Sequence, residues 1–572
     1  MVCTAANEDS DEECDEEEVR KSTVDDGNKS DNKPEADTAR DQTGKHSEVS
    51  KAEYSTPGDV RKTPIFKMLC EHLKAESEND GVVKGNPDDW IVVSGGMLGK
   101  ETAVVMEIGL IIFARRKHMK AINKVEKAGE ATGIMRVVAN KGGMGVGFSL
   151  YGTSVCFIGA HLNAHMQHLE KRNSDVREIH EGIKLRETAL TLDRQFAHVF
   201  FAGDLNYRLD RNLVSQERNE ELCRQYGVQI PNKSDKKSVY RSHWELTKAL
   251  IDDKKWKELM EADQLKHCIK CEKVFHGYKE GEYKFPPTFK VARDQGYDYT
   301  SKRIPSYCDR VLWRSLPSLS GNVKLEELAS YSSITSSDHK PVSAGFQLSL
   351  TAPVQLGPGN SGPILRFSHI NGHKLIPMDP TGYSDPYISF YSDPPGLLAS
   401  RNAQVVTKQN PNAFLEDNAT TAAKQQKLVG DFDALAAYIE TARQRHMFMS
   451  GGRAPRTKVM WSTLNPKWEG SDKLPLLRFN VVNPLELSRC HLFLQINDYD
   501  ATSKDDDMGA AVLPLDKIAY GDKYCSFDVP VVCNSQAAGT LEGVFELIWP
   551  QDPRYAGLEE GKINQGCGCS IQ

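Results

Sequence analysis

The sequence predicts an α+β chain in which a mixed helix-and-sheet domain is followed by a β-sandwich. Three observations predict it. Between about residues 64 and 350, apolar runs of strand length alternate with charged stretches of helical spacing. The stretch "TAPVQLGPGNSGP" then breaks the pattern with Pro, Gly and Ser. Beyond it the apolar runs are short, and few helical stretches separate them. With 572 residues the chain is too long for one ordinary domain, and its 39% hydrophobic content suffices for sizeable cores.

In chain order, residues 1–62 are acidic and nearly free of large apolar side chains. The run "EDSDEECDEEE" cannot bury a core, which predicts disorder. The stretch "PIFKMLCEHLKAES" has helical spacing. Within residues 63–350, "VVMEIGLIIFA", "MGVGFSLYGTSVCFIGAHL" and "FAHVFFAGDL" read as sheet strands, and "QHLEKRNSDVREIHEGIKL" as a helix. Residues 351–362 form the linker. In residues 363–551, "ILRFSHINGHKLIP", "DPYISFYS", "RFNVV", "HLFLQIND" and "GVFELIWP" read as separate strands. A polar insertion at 393–456 carries one helical piece, "VGDFDALAAYIETARQRH", and residues 552–572 form a flexible tail.

Composition excludes some classes. A net charge of -7 gives no broad attraction to nucleic acid. "TAVVMEIGLIIFA" is too short to span a membrane, and Glu107 interrupts it. No secretory signal is visible, and the 13 scattered cysteines predict reduced thiols in a cytoplasmic protein.

Polar clusters stand at the ends of apolar runs. "FAGDLNYRLD" places Asp204, Asn206 and Arg208 at alternate positions. A plain turn explains such residues at a strand end; presentation of three polar heads to one ligand is the sharper alternative. "ANKGG" adds Asn140 and Lys141, "GAHLNAH" adds His161 and His165, and "TSSDHKP" adds Asp338 and His339. "SKRIPSYCDRVLW" brings Arg303, Asp309 and Arg310. Attack of an oxygen nucleophile on phosphorus needs such a set: a carboxylate to take a proton, and cations and amides to stabilise the phosphoryl oxygens. The His that serves is oriented either by its sequence neighbour Asp338 or by a carboxylate from another strand end. "GGMGVG" has dinucleotide-loop spacing but runs into a strand, and "HCIKCEKVFH" lacks a second ligand pair for zinc.

Together, "FAGDLNYRLD" and "RIPSYCDRVLW", with "ANKGG", "AHLNAH", "FPPTFK" and "SSDHKPV" in the same order, resemble the signatures of inositol polyphosphate 5-phosphatases between about Trp90 and Phe346. The resemblance implies a deoxyribonuclease I-like αββα four-layer sandwich and Mg²⁺-dependent removal of the 5-phosphate from phosphoinositides or soluble inositol phosphates. It implies that Asp204 activates water, Asn206 holds the scissile phosphate, and His339 stabilises the transition state with His161 beside it. Asp338 belongs to the same catalytic set. Asn140, Lys141, Lys290, Arg303 and Arg310 are expected to bind substrate, Arg310 alternatively supporting its loop. Two departures stand out. The "WN" and "QE" motifs, which carry the metal-holding Asn and Glu in that family, are absent, so the first strands and a metal carboxylate are expected to be missing and activity impaired. Phe289 stands where the family has Tyr.

In the second half, "MDPTGYSDPYISF" supplies Asp379 and Asp385, and "INDYDATSKDDDMG" supplies Asp498, Asp500 and Asp506. Crowded carboxylates in two loops are resolved by a hard cation such as Ca²⁺; either loop alone reads as a solvated turn. Together, and with "TKVMWSTLNPKWEG", they resemble a calcium-binding C2 domain from about Ile364 to Trp549, which implies calcium-dependent docking on phospholipid. The terminal "GCGCSIQ" fits a prenylation box at Cys569, with Cys567 a second lipidation candidate. The expected protein is a phosphoinositide 5-phosphatase on the cytosolic face of a membrane, the plasma membrane being the expected one; the alternative is a catalytically impaired phosphoinositide-binding protein of the same fold.

Overall fold

The computed structural model describes residues 2–5, 90–98, 108–132, 141–185, 190–350, 352–357, 362–398, 454–481, 483–500, 504–519 and 524–554. Asn140, Cys567, Cys569, "PIFKMLCEHLKAES" and the helical piece of the insertion lie outside them.

The strands before the first main sheet are β1 (Val2–Ala5), β2 (Trp90–Leu98) and β3 (Ile108–Arg115), joined antiparallel in the order β1-β3-β2. A strand at Val2–Ala5 departs from the disorder expected of the acidic region. Val-Cys-Thr-Ala precedes the charge run and favours extended backbone.

A six-stranded sheet carries the first domain. Its strands are β4 (Ile122–Ala131), β5 (Gly142–Leu150), β6 (Thr153–His161), β7 (His198–Asp204), β8 (Lys279–Glu280) and β9 (Asp309–Ser315), in the order β4-β5-β6-β7-β9-β8. Only β6 and β7 run parallel. The run "MGVGFSLYGTSVCFIGAHL" is two strands, because Tyr151 and Gly152 adopt positive φ (50° and 87°) and close a hairpin. Helix α1 (Leu169–Gly182) crosses between β6 and β7 and packs on one face, Val176 and Ile179 meeting Ile158, Ala160 and Phe201. The glycines of "GGMGVG" permit that approach. A Cβ at Gly143 would sit 2.9 Å from Ile179, and one at Gly147 2.5 Å from Phe196.

The opposite face is apolar too. Phe157 and Phe200 stack with centroids 5.1 Å apart, beneath the hairpin β10 (Val323–Ser330) and β11 (Val342–Leu348). Ile108, Leu110 and Ile112 of β3 cover Met144, Val146 and Phe148. Helix and two sheets thus stack in layers as expected, and Leu328 and Val342 of the hairpin also pack against the cluster that holds Leu246 and Leu250 of the helical region. Helices α2 (Gln216–Tyr226), α3 (Lys236–Asp252), α4 (Trp256–Met260) and α5 (Gln264–Lys270) fill the β7–β9 connection.

The second domain is one curled antiparallel sheet. Its strands are β12 (Ile364–His373), β13 (Pro386–Asp393), β14 (Lys467–Glu469), β15 (Leu477–Arg478), β16 (His491–Asp498), β17 (Asp506–Pro514), β18 (Tyr524–Cys533) and β19 (Gln536–Ile548). The order is β13-β16-β17-β18-β19-β12-β14, with β15 beside β12. Phe367, Phe390, Trp468, Leu494 and Phe545 fill its core. The domains pack at the end of the first sheet away from Asp204. There Phe493 and Val512 meet Leu190, Ala197, Leu316 and Leu319, and Ser318 Oγ lies 2.6 Å from His491 Nε2.

Candidate active site

Strand register builds the site. Parallel pairing sets His161 of β6 beside Asp204 of β7, and antiparallel pairing sets Asp309 of β9 on the other side of Asp204. Apolar interiors of the three strands drive them into the sheet, and the polar heads emerge together where the strands end.

His339 reaches this row from the β10–β11 connection. Its Nδ1 lies 3.0 Å from Asp309 Oδ2, and its Nε2 3.9 Å from Asp204 Oδ2. Thr288 Oγ1 donates to Asp309 Oδ2 at 2.6 Å and fixes that carboxylate. Burial alone would lower the His339 pKa, but the Asp309 and Asp204 carboxylates outweigh it and raise the pKa to about 9. His339 is therefore an imidazolium at neutral pH. His161 Nε2 lies 3.4 Å from Asp204 Oδ2 and accepts from Lys141 Nζ at 2.8 Å.

The turn reading of "GDLNYR" holds. Asn206 has positive φ (55°), and its backbone N–H donates to Asp204 Oδ1 at 3.1 Å, which makes a turn. Its side-chain amide donates to Asp204 Oδ2 and to the Leu162 carbonyl, both at 3.1 Å. Asn206 is thus tied to Asp204 and aims it. Arg208 donates to the Asn206 side-chain and backbone oxygens and lies over Phe289, 4.5 Å from the ring centroid. Phe289 in turn lies 4.6 Å from the His339 ring, so the residue in place of Tyr acts as a wall. Behind the row, buried Arg172 of α1 donates to the carbonyls of Asn163 (3.1 Å) and His165 (2.6 Å) and to Gln264 Oε1 (2.6 Å), locking the "GAHLNAH" loop.

Two alternatives that the sequence leaves open are decided. Asp338 is not the carboxylate that serves His339: its side chain pairs with Lys290 at 3.2 Å, and Asp309 takes the histidine. Arg310 does not bind substrate. It is fully buried, bonded to Asp263 (2.8 and 3.1 Å), Glu280 (2.7 and 2.8 Å) and the Tyr283 hydroxyl (3.0 Å). Adjacent strand residues face opposite sides, so "DR" at 309–310 can send only one side chain into the site. The register of β7 and β9 makes that one Asp309. Arg303 lies apart, donating to the Lys302 carbonyl at 3.1 Å.

Asp204, Asp309 and His339 offer ligand atoms all within 4.8 Å of one another. Two carboxylates at that spacing suit a hard divalent cation, while the Asp309–His339 bond already occupies Nδ1.

At the strand ends of the second domain the acidic loops converge in part. Asp498 Oδ1 accepts from the Asp385 N–H at 2.5 Å, and Asp385 Oδ1 accepts from the Ser462 N–H at 2.7 Å. The Asp498 pKa is raised, by burial first and then by the nearby Asp379 and Asp385 charges. Asp506 pairs across from Asp498 at the start of β17 and is exposed. Asp505, which sequence reasoning passed over, accepts from the Asp500 N–H at 3.1 Å and from the Tyr387 hydroxyl at 2.5 Å.

The sequence of residues 100–345 matches the endonuclease/exonuclease/phosphatase family 2, and residues 364–416 and 423–527 match the C2 domain. The chain is thus similar to the first family in its first half and to the C2 domain in its second. The chain is similar to the type II inositol 1,4,5-trisphosphate 5-phosphatase of Mus musculus, 30% identical over 248 residues, 42% of this chain and 21% of that one. The phosphatidylinositol 3,4,5-trisphosphate 5-phosphatase 1 of Xenopus laevis is 28% identical over 304 residues, 51% of this chain and 27% of that one. The chain thus spans about a quarter of the length of these relatives. A crystal structure of a synaptojanin inositol polyphosphate 5-phosphatase domain, with inositol (1,4)-bisphosphate and calcium, is 23% identical, covering 50% of this chain and 71% of that one with a TM-score of 0.35.

Proposed function

We propose that the endonuclease/exonuclease/phosphatase domain hydrolyses the 5-phosphate of inositol polyphosphates or phosphoinositides, and that the C2 domain docks it on a membrane. The row His161–Asp204–Asp309, with His339 clamped to Asp309, carries this reading. Asp204, aimed by Asn206, accepts a proton from the attacking water as its oxygen bonds to phosphorus and the bond to the ring oxygen breaks. The His339 imidazolium faces the same space with Nε2 and stabilises the charge on the phosphoryl oxygens. Asp309 holds it in that orientation and that charge state. Asp204 and Asp309 would hold Mg²⁺, which supplies Lewis-acid stabilisation of the phosphoryl group when bound.

Calcium at Asp379, Asp385, Asp498, Asp500 and Asp506 would neutralise the C2 tip and turn it toward anionic lipid. Exposed Tyr383 stands in the first of these loops, and exposed Trp461 precedes the Ser462 that bonds Asp385. Prenylation at Cys569, with acylation at Cys567, would add a second anchor on the cytosolic face. A single lipid chain gives only marginal binding, so the two signals act together. Product analysis after incubation of the full chain with inositol 1,4,5-trisphosphate and Mg²⁺ tests the reaction: loss of the 5-phosphate alone supports it, and an intact substrate rejects it.

A further inference from the structure

His339 stands in the connection between β10 and β11, and much of that connection is exposed. Residues 333–336 bury little. The same is true of residues 293–295, in the facing segment of the β8–β9 connection that carries Thr288, Phe289 and Lys290. Loops with so few buried contacts open easily unless something else holds them. Yet these two carry closely fitted parts of the site: Thr288 is bonded to Asp309, and Phe289 lies 4.6 Å from the His339 ring.

Lys340 ties them together. It directly follows His339 and is among the largest fully buried side chains. Its ammonium donates to the Asp294 carbonyl at 2.6 Å and to the Ile334 carbonyl at 2.7 Å, one acceptor in each segment. A buried ammonium is costly unless its donors are met, and here main-chain oxygens meet them, so the charge fixes backbone. The Lys340 backbone N–H donates to the Thr288 carbonyl at 3.0 Å. Two more backbone bonds cross the same gap, from Val291 to the Asp338 carbonyl (3.0 Å) and from Gly296 to the Ser332 carbonyl (3.1 Å). A ring closes as a result. Thr288 Oγ1 donates to Asp309, Asp309 holds His339 Nδ1, and the residue after His339 donates back to Thr288. Movement of either segment breaks the ring and turns the imidazole.

We propose that Lys340 is a positioning residue: its ammonium clamps residues 288–296 and 332–340 into one body, and that body sets where His339 Nε2 points. Being fully buried, Lys340 meets no substrate and acts through His339. The proposal rests on the phosphatase reading for the reaction it serves, not for the clamp. Displacing a reacting group by about 1 Å costs roughly a hundredfold in rate, so a clamp one residue from the imidazole has a large lever on turnover.

Amide hydrogen exchange and kinetics on the full chain test it, comparing wild type with Lys340→Met, which keeps the length and removes the donors. In wild type one opening breaks every bond between the segments, so the Val291, Gly296 and Lys340 amides show equal protection after correction for intrinsic rates. Lys340→Met speeds their exchange at least about tenfold and leaves the amides of β7 unchanged. With inositol 1,4,5-trisphosphate and Mg²⁺, kcat falls roughly ten- to a hundredfold while KM stays within about twofold. In a His339→Ala background the same substitution costs less than about twofold, because the group it aims is gone. Equal losses in the two backgrounds make Lys340 structural only and overturn the proposal. Unequal protection of the three wild-type amides, or unchanged exchange in the variant, overturns it as well. Should Lys340→Met not fold, the wild-type amides decide alone. Exchange as expected, without phosphate release by wild type, keeps the clamp and rejects the hydrolase.

Discussion

Asp309 and His339 are bound to each other, with Nδ1 of the histidine 3.0 Å from Oδ2 of the aspartate, although 30 residues separate them in sequence. The carboxylate fixes which imidazole nitrogen faces Asp204 and keeps the ring charged. Asp309→Asn retains the shape and removes both effects. It is expected to lower kcat roughly a hundred- to ten-thousandfold with little change in KM. Steady-state kinetics on a soluble inositol phosphate checks it. A matching loss in Asp338→Asn with none in Asp309→Asn would reverse the assignment.

Arg310 makes the opposite prediction. Its guanidinium is sealed between Asp263 and Glu280. Arg310→Met leaves two buried carboxylates without a partner and is expected to cost about 3–5 kcal/mol of stability. A denaturant melt reads this directly. An unchanged melt with a raised KM would instead make Arg310 a substrate contact.

Two buried histidines set an acid limit on stability. Burial lowers His198 to about 4 and His491 to about 3, each neutral and hydrogen-bonded to a serine, Ser315 and Ser318. The unfolded chain takes up these protons near pH 6.5, before the folded chain can. Their contribution is therefore complete above that pH and is lost as pH falls toward the folded values. At pH 5 each is expected to cost about 2 kcal/mol. Melting temperature should fall from pH 7 to pH 5, and the slope should flatten in a His198→Gln/His491→Gln variant. An equal slope in that variant would assign the acid sensitivity to other groups.

Asp498 lies under charge strain from Asp379 and Asp385. Asp498→Asn removes a like charge, so the calcium-free protein should melt no lower than wild type. The same change removes a calcium ligand, and the calcium concentration for vesicle sedimentation should rise at least about tenfold. Sedimentation that ignores both calcium and the substitution would show lipid binding of another kind.

Local pattern made much of this architecture legible. "FAGDLNYRLD" ends an apolar run in polar heads at alternate positions, and the structure puts those heads where β7 stops. "INDYD" and "GYSDP" read as facing acidic loops, and the Asp385–Asp498 bond joins them. What escaped were pairings set by register. Nothing local says that Asp309 lies beside Asp204 across β7 and β9, so Asp338 and a carboxylate from another strand end stand as equal alternatives for orienting the histidine. Arg310 misled for a related reason. A basic residue beside a catalytic motif suggests substrate, and only the positions of Asp263 and Glu280, 47 and 30 residues upstream, show it paired.

Inorganic phosphate released by the full chain from phosphatidylinositol 4,5-bisphosphate vesicles in Mg²⁺, beside Asp204→Ala, tests the central claim most directly. The account predicts steady release by wild type and a loss of at least about a hundredfold in the variant. Equal rates in the two proteins, or none in either, would contradict it.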